Sequence, residues 1–346
     1  MCNIAGYVGT KQAAPILIEM MKKEEGWAGG LYTGIATIHE GKIYHAKITG
    51  DVKRLLDYTD AAKLPGTIGI IHSRSKSGGD DLWSHPFVGA GGHTAYVANG
   101  SYGFFSGEPY ISERTALFNE LEELGYHSRS RTLKQIGKYP TCPDGTSAHM
   151  SDIMAQFITK LIDDGLDASD AMNKAFCDMP SEIVGLTIYD KEPDCIIWSK
   201  LNPPMNVGYA DHGAYLATTA QAFPEDARDI TMLPSASGGR VYADRHTAKA
   251  YTNPRCTVAP ITEEVINAVY DRVVEVLSDG KPRSISILVK EVADLFEEAD
   301  CSPRPMIIYR ALKKLQDEGR LRTEVTRVPG LLPNITAPHF NAYFEV

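Results

Sequence analysis

The sequence predicts an α+β fold of stacked sheet and helix layers, and three observations lead there. Short apolar strands and amphipathic helices follow one another in mixed order, without a regular βαβ alternation. Hydrophobic residues make up 43% of the chain and charged residues 23%, the balance of a globular protein with a packed core. The length, 346 residues, is more than one core usually serves, so two domains are expected. No charged segment followed by an apolar leader opens the chain, and no apolar run reaches membrane-spanning length, so a cytoplasmic protein with no membrane contact is expected. The net charge of −9 argues against a general nucleic-acid coat. Six cysteines (Cys2, Cys142, Cys177, Cys195, Cys256 and Cys301) lie scattered with no CxxC pair. Neither a disulfide framework nor a zinc site is indicated, and no cofactor is expected.

The first nine residues, Met1 to Gly9, organise the rest. Once Met1 is removed, Cys2 carries a thiol and a free α-amino group on one residue. An amine with a pKa of about 8 can take the thiol's proton, directly or through water. An ordinary small residue at a terminus fits the position equally well. Ile4, Tyr7 and Val8, with Ala5 and Gly6, read as a buried strand. Ala13 to Lys23 places Ile16, Leu17, Met20 and Met21 at helical spacing, with Pro15 in the first turn. Leu31 to Ile38 and Lys42 to Ile48 read as strands around Glu40-Gly41, and Val52 to Leu56 as a short helix. Pro65-Gly66 breaks the chain before an apolar strand, Thr67 to Ile71. Thr94 to Ala98 is a further strand, and Ser112 to Leu124 a helix. Residues 126 to 150, polar and rich in turn formers, read as a long loop. Ser151-Asp152 is expected to cap a helix with Met154, Phe157, Ile158 and Leu161 on its apolar face. Strands are expected at Val184 to Tyr189, Cys195 to Trp198, Ala214 to Ala217 and Arg240 to Tyr242.

Three segments point back to Cys2. Gly69 to Gly79 places Arg74 at the end of a buried strand before a polar, glycine-containing turn, where it can clamp a carboxylate through two hydrogen bonds. A structural arginine in a surface ion pair fits as well. Tyr96 to Gly100 ends a strand in Asn99-Gly100, a side-chain amide beside an unhindered backbone N–H, which suits an oxyanion hole. An ordinary hairpin turn also has that sequence. The Asp152 carboxylate can receive a substrate ammonium, or simply cap its helix.

Taken with their order, these segments resemble the class II glutamine amidotransferases, which are N-terminal-nucleophile hydrolases, and in particular the glutaminase half of the glutamine–fructose-6-phosphate transaminases. That family opens Cys-Gly-Ile-Val-Gly-Tyr and continues with Gly-His-Thr-Arg-Trp-Ala-Thr, then His-Pro-His, then Asn-Gly. The matching stretches are Cys2 to Tyr7, Ile71 to Ser77, His85-Pro86 and Asn99-Gly100, with further likeness at Leu64 to Ile70 and Tyr215 to Thr218. The resemblance implies a four-layer αββα sandwich over residues 2–250. It implies Cys2 as nucleophile with its own α-amino group as base, and Asn99 and Gly100 as the oxyanion hole. It further implies a substrate set of Arg74, Ser77 and Asp152 for L-glutamine or a related amide, with Arg74 on the α-carboxylate and Asp152 on the α-amino group. Asn3, Ser75, Gly78 and Ala98 stand where the family has glycine, tryptophan, histidine and histidine. These departures leave the chemistry in place but loosen the expectation of strict glutamine specificity.

The remaining residues, 260–346, are too few for the family's sugar-phosphate isomerase half. Ammonia is therefore expected to reach a separate synthase partner. Pro254 and Pro260 mark a linker. Thr262 to Leu277, Ile285 to Phe296 and Pro303 to Asp317 read as helices. Arg320 to Val328 and His339 to Phe344 read as a hairpin, an order that resembles a winged helix-turn-helix. Arg304, Arg310, Lys313 and Lys314 on the third helix can meet phosphates. From Cys256 onward, however, 11 Lys and Arg face 14 Asp and Glu, a net of −3. An interaction or homo-oligomerisation module is thus favoured over DNA binding. The two functions in view are an amide-hydrolysing enzyme and a glutamine-sensing DNA-bound regulator; Cys2, Arg74, Asn99 and Gly100 together favour the enzyme.

Overall fold

β1 (Asn3–Gly9) carries the N-terminus into the middle of the molecule, and both of its faces are covered. Ile4 and Val8 enter the layer between two sheets, while Ala5 and Tyr7 face helix α1 (Ala13–Ala28). That two-sided burial is why the strand reads as a continuous apolar run. The computed structural model describes residues 2–76, 78–100, 107–134, 139–179, 182–202, 204–256, 261–296 and 304–344. α1 runs past Lys23, because Glu24, Glu25, Gly26 and Trp27 are buried as well.

β2 (Tyr32–His39) and β3 (Lys42–Thr49) form the expected hairpin. Glu40 and Gly41 both take positive φ, 48° and 68°, the turn geometry that matches strand twist. α2 (Val52–Tyr58) is capped by the Asp51 carboxylate, which accepts from the Arg54 N–H. β4 (Ile68–Arg74) is longer than expected and delivers Arg74 within the sheet. β5 (Phe87–Val88), β6 (Thr94–Gly100) and α3 (Tyr110–Glu123) follow. The stretch 126–150 is not simply a loop, since β7 (Arg131–Thr132) and β8 (Ser147–Ala148) pair inside it.

α4 (Met150–Asp163) corrects the expected cap: the His149 ring accepts from the Ser151 N–H at 3.1 Å, so Ser151 and Asp152 sit in the first turn. α5 (Ala168–Asp178) was not anticipated. Its signals are local, an Asp167 cap and the buried Ala171, Met172, Ala175 and Phe176 at helical spacing. β9 (Glu182–Tyr189), β10 (Cys195–Lys200), β12 (Gly213–Ala217) and β14 (Ser237–Tyr242) lie where strands are expected. β11 (Asn206–Ala210), β13 (Arg228–Met232) and β15 (Lys249–Ala250) complete the sheets.

The strands form a seven-stranded sheet, β13-β11-β12-β1-β4-β2-β3, and a six-stranded sheet, β15-β14-β10-β9-β6-β5. Ile4, Val97, Leu186, Ile196, Trp198 and Leu216 fill the space between them. α1 and α2 cover the outer face of the first sheet, and α4 and α5 that of the second. The result is a four-layer αββα sandwich. Each large apolar side chain buried there contributes about 1.5–3 kcal/mol.

The C-terminal residues form α6 (Glu263–Leu277), β16 (Arg283–Ser284), α7 (Ile285–Glu291), α8 (Arg304–Asp317), β17 (Leu321–Pro329) and β18 (Thr336–Phe344). The second helix is shorter than expected and ends in a 3-10 turn at Ala293–Leu295. A three-stranded sheet, β16-β18-β17, lies against the helices. This region packs on the sandwich. Trp27 meets Phe340 edge to face at 5.5 Å, and Arg327 donates to the buried Asp51 carboxylate at 2.6 Å. Gly26 permits the approach, since a Cβ there would lie 2.2 Å from the Phe340 ring. Of the linker prolines, Pro260 lies outside the described residues.

Candidate active site

Cys2 stands at the inner end of β1, 8% exposed. Its Sγ is 3.7 Å from Ser75 Oγ, and its carbonyl accepts from Asn99 Nδ2 at 3.4 Å. The two partners come from different sheets. Ser75 follows β4, the direct neighbour of β1, in which Asn3 is paired with Ser73. Asn99 lies on β6, where the register against β9 shifts between Asn99 and Gly100. A shift of that kind bends a strand and redirects its side chains. The buried Asn99 and the exposed Gly100 thus end the strand beside the N-terminus. Of the three residues expected from sequence to act together, Cys2 and Asn99 are in contact, and Gly100 follows Asn99 at the strand end.

Arg74 is brought to the same end of the sandwich. It pairs with Tyr32 across β4 and β2, and its guanidinium lies 3.9 Å from the Tyr32 ring centroid. Nη1 donates to the Trp83 carbonyl, and Nη2 to the Gly78 carbonyl at 3.1 Å. Burial lowers its pKa, while the Tyr32, Cys2 and Tyr139 groups push it back up. Arg74 and the Cys2 thiol therefore lie within electrostatic reach of each other. Ser77 falls outside the described residues.

Asp152 is buried and already well partnered. One carboxylate oxygen accepts from the N–H groups of Arg129 and Ser130, both at 2.7 Å, and the other from Gln156 Nε2 at 3.0 Å. Its position in the first turn of α4 adds the favourable end of the helix dipole. In this geometry it ties the 126–150 segment to α4.

Several neighbours escaped the sequence reading. Lys47 extends its Nζ to the carbonyls of Ser84 at 2.9 Å and of Leu82 and Pro86 at 3.3 Å. Burial brings its pKa down to about 8; Asp152 opposes that shift and Arg74 adds to it. Lys47, Arg74 and Asp152 thus form one electrostatic group. Behind them His72 stacks on His85 at 3.9 Å, and the His149 ring centroid lies 5.4 Å from that of His85. His72 Nε2 lies 2.9 Å from the Ala98 carbonyl, on the strand that ends in Asn99. Burial depresses all three imidazoles, that of His72 to about 3, so they are neutral packing groups at ordinary pH. The even spacing of His72 and Arg74 on one strand was the available signal for a shared face. Lys47 offered none, because its burial depends on the distant Leu82–Pro86 segment. Among the described residues no group of His, Cys, Asp or Glu is arranged to hold a metal ion.

The αββα sandwich, with Cys2 at the head of an inner strand and Asn99-Gly100 beside it, matches the fold of solved glutamine amidotransferases. Among solved structures, glutamine phosphoribosylpyrophosphate amidotransferase from B. subtilis superimposes with a TM-score of 0.56 over 82% of this chain and 60% of that one, at 14% identity. A second, described as the allosteric regulatory enzyme of purine biosynthesis, gives 0.57 over 82% and 59%. In sequence the chain resembles the glutamine–fructose-6-phosphate aminotransferases. It is 28% identical to that of Rhizobium leguminosarum bv. viciae over 235 residues, 67% of this chain and 34% of the relative. It is 26% identical to that of Pyrococcus horikoshii over 255 residues, 72% and 38%. The chain thus spans about a third of the length of the curated relatives it matches. No known family's model matches the sequence.

Proposed function

We propose that the chain hydrolyses the side-chain amide of L-glutamine through a Cys2 thioester and releases ammonia for a partner synthase. The observation that carries this reading is the meeting of Cys2, Asn99 and Arg74 at one end of the sandwich. With Met1 removed, the Cys2 α-amino group takes the thiol proton, and Sγ attacks the carboxamide carbon. The oxyanion rests on the Asn99 amide and the Gly100 N–H, where one such donor lowers the barrier by about 3 kcal/mol. Ammonia departs with a proton, and water cleaves the thioester to glutamate. Arg74, at the end of β4, receives the α-carboxylate, with Ser77 beside it. Asp152 receives the α-ammonium, exchanging part of its present hydrogen bonding for the ligand. Residues 2–250 form the amidotransferase domain and 260–346 a winged-helix-like domain.

Intact mass before and after incubation with a glutamine-analogue electrophile tests this reading. One adduct on a chain lacking Met1, absent from Cys2→Ala, is the expected result; an active chain that retains Met1 refutes the α-amino base.

A DNA-reading role for the second domain gains no support from its third helix. Arg310 lies 3.9 Å from Glu263, Lys313 pairs with Asp317, and Lys314 sits over the Tyr270 ring at 3.8 Å. On the same helix Met306 reaches Lys200 of the sandwich at 3.6 Å, and Tyr309 is buried within reach of Glu24. A helix committed on these sides favours an interaction module.

A further inference from the structure

The C-terminal region leaves a cleft of about 540 Å³ against the sandwich, and Ser75, the residue that touches Cys2 Sγ, lines it. Its sandwich wall is the end of α1 and the following segment, including Trp27 and Leu31. That segment is fixed to β4, with the Gly30 N–H on Ser73 Oγ at 2.7 Å and the Leu31 N–H on the Arg74 carbonyl at 3.2 Å. Val289 on α7 and Pro338 on β18 make the facing wall apolar, and Lys290 in the last turn of α7 adds an ammonium.

Arg74 and Ser75 are successive residues that serve different spaces. Arg74 lies over Tyr32 and close to Trp83, while Ser75 opens on the cleft. Ser75 stands between the Cys2 thiol and the cleft, so the nitrogen substituent of an amide bound at Cys2 has this space within reach past Ser75. Ammonia requires little of the space there, since a water-sized molecule takes about 30 Å³ of liquid volume. The small Ser75 side chain is what separates the thiol from the cleft.

We propose that this cleft receives the amine half of a γ-glutamyl amide, namely an apolar amino acid whose carboxylate meets Lys290, so that the chain cleaves γ-glutamyl dipeptides. The proposal rests on the amide-hydrolase reading above. The step balances without a further co-reactant. Cys2 Sγ bonds to the γ-carbonyl carbon as the C–N bond breaks, and the amino acid leaves with the proton taken from the thiol. Water then cleaves the thioester, giving glutamate and the free thiol.

The test compares hydrolysis of L-glutamine, γ-glutamyl-leucine and γ-glutamyl-isoamylamide (which lacks the second carboxylate) by the full chain and its Lys290→Glu and Ser286→Trp variants. Wild type is expected to cleave γ-glutamyl-leucine at least as well as glutamine by kcat/KM. Lys290→Glu is expected to lower that value roughly tenfold for the dipeptide and to leave glutamine and the isoamylamide unchanged. Ser286→Trp, at the mouth of the cleft, is expected to impair both substituted amides and spare glutamine. If glutamine is cleaved well and the dipeptide is about tenfold poorer, or if Lys290→Glu acts on all three alike, the cleft assignment is overturned and the glutaminase reading stands. If none is cleaved and the electrophile leaves Cys2 unlabelled, both fail.

Discussion

At the scale of single residues, Cys2→Ala removes the thiol at the head of β1 without disturbing the apolar run behind it. Two other described cysteines, Cys177 and Cys195, are poor substitutes. Burial pushes the Cys177 thiol up and the Cys195 thiol up to about 12, so neither supplies a thiolate at neutral pH. Glutaminase activity in purified Cys2→Ala is expected below a few per cent of wild type with an unchanged circular dichroism spectrum. Activity above that level would reassign the nucleophile. Arg74 is the other decisive side chain. Arg74→Ala is expected to raise KM for glutamine by roughly 10- to 100-fold, the size of a lost charge-assisted pair. Steady-state kinetics that leave KM unmoved would show that the α-carboxylate binds elsewhere.

At the scale of elements, the β17–β18 hairpin against the end of α1 controls how the two halves meet. Trp27 and Phe340 share one core with Val273, Leu288 and Leu312, so the end of α1 is in effect part of the C-terminal core. Gly26 is the closest point of approach, and any Cβ there must displace the Phe340 ring. Gly26→Ala is therefore expected to destabilise the chain by about 1–3 kcal/mol, an overpacking cost. Faster limited proteolysis in the 250–262 connection should accompany the loss. An unchanged urea midpoint and proteolysis rate would show that the hairpin yields easily.

For the whole molecule, buried titratable groups set a pH window. Burial raises Glu25 to about 8 and lifts the fully buried Glu24 as well, so both hold protons that the unfolded chain has released above about 4.5. Their contribution to stability is present below the unfolded value and is lost as pH rises through the folded one. His72, His85 and His149 act in the opposite sense. Neutral in the fold, they take up protons on unfolding once pH falls below about 6.5. Between about 4.5 and 6.5 the three histidines outnumber the two glutamates and stability rises with pH; from there to about 8 the glutamates make it fall. Urea midpoints are expected to peak near pH 6.5, and Glu25→Gln, which keeps an acceptor for the Val52 N–H, should flatten the alkaline side. A profile flat from pH 5 to 8 would contradict the burial of these groups. The net charge and the paired cations of α8 also predict no salt-dependent mobility shift on mixed genomic DNA. A shift abolished by Arg310→Ala with Lys313→Ala would reinstate the regulator.

The sequence by itself determined the order of most strands and helices, because period-two and period-3.6 burial are written in neighbouring residues. It also singled out Cys2, Arg74 and Asn99 as residues at strand ends, but their approach is a product of the sandwich: Cys2 and Arg74 lie at one end of neighbouring antiparallel strands, and Asn99 comes from the other sheet. Tertiary structure decided the rest. Asp152 reads as a substrate-binding acid or a cap, yet one of its oxygens is taken by two N–H groups of a segment more than twenty residues earlier. Glu24 and Glu25 lie just past the expected helix end at Lys23, and distant groups enclose them: Thr219 and Tyr309 beside Glu24, and the Val52 N–H and Ser73 on Glu25. The cations of α8 read as a phosphate-binding row until Glu263, Asp317 and Tyr270 take them up. In each case a polar side chain's role is fixed by what packs on it from a distant part of the chain, and local pattern carries no record of that partner.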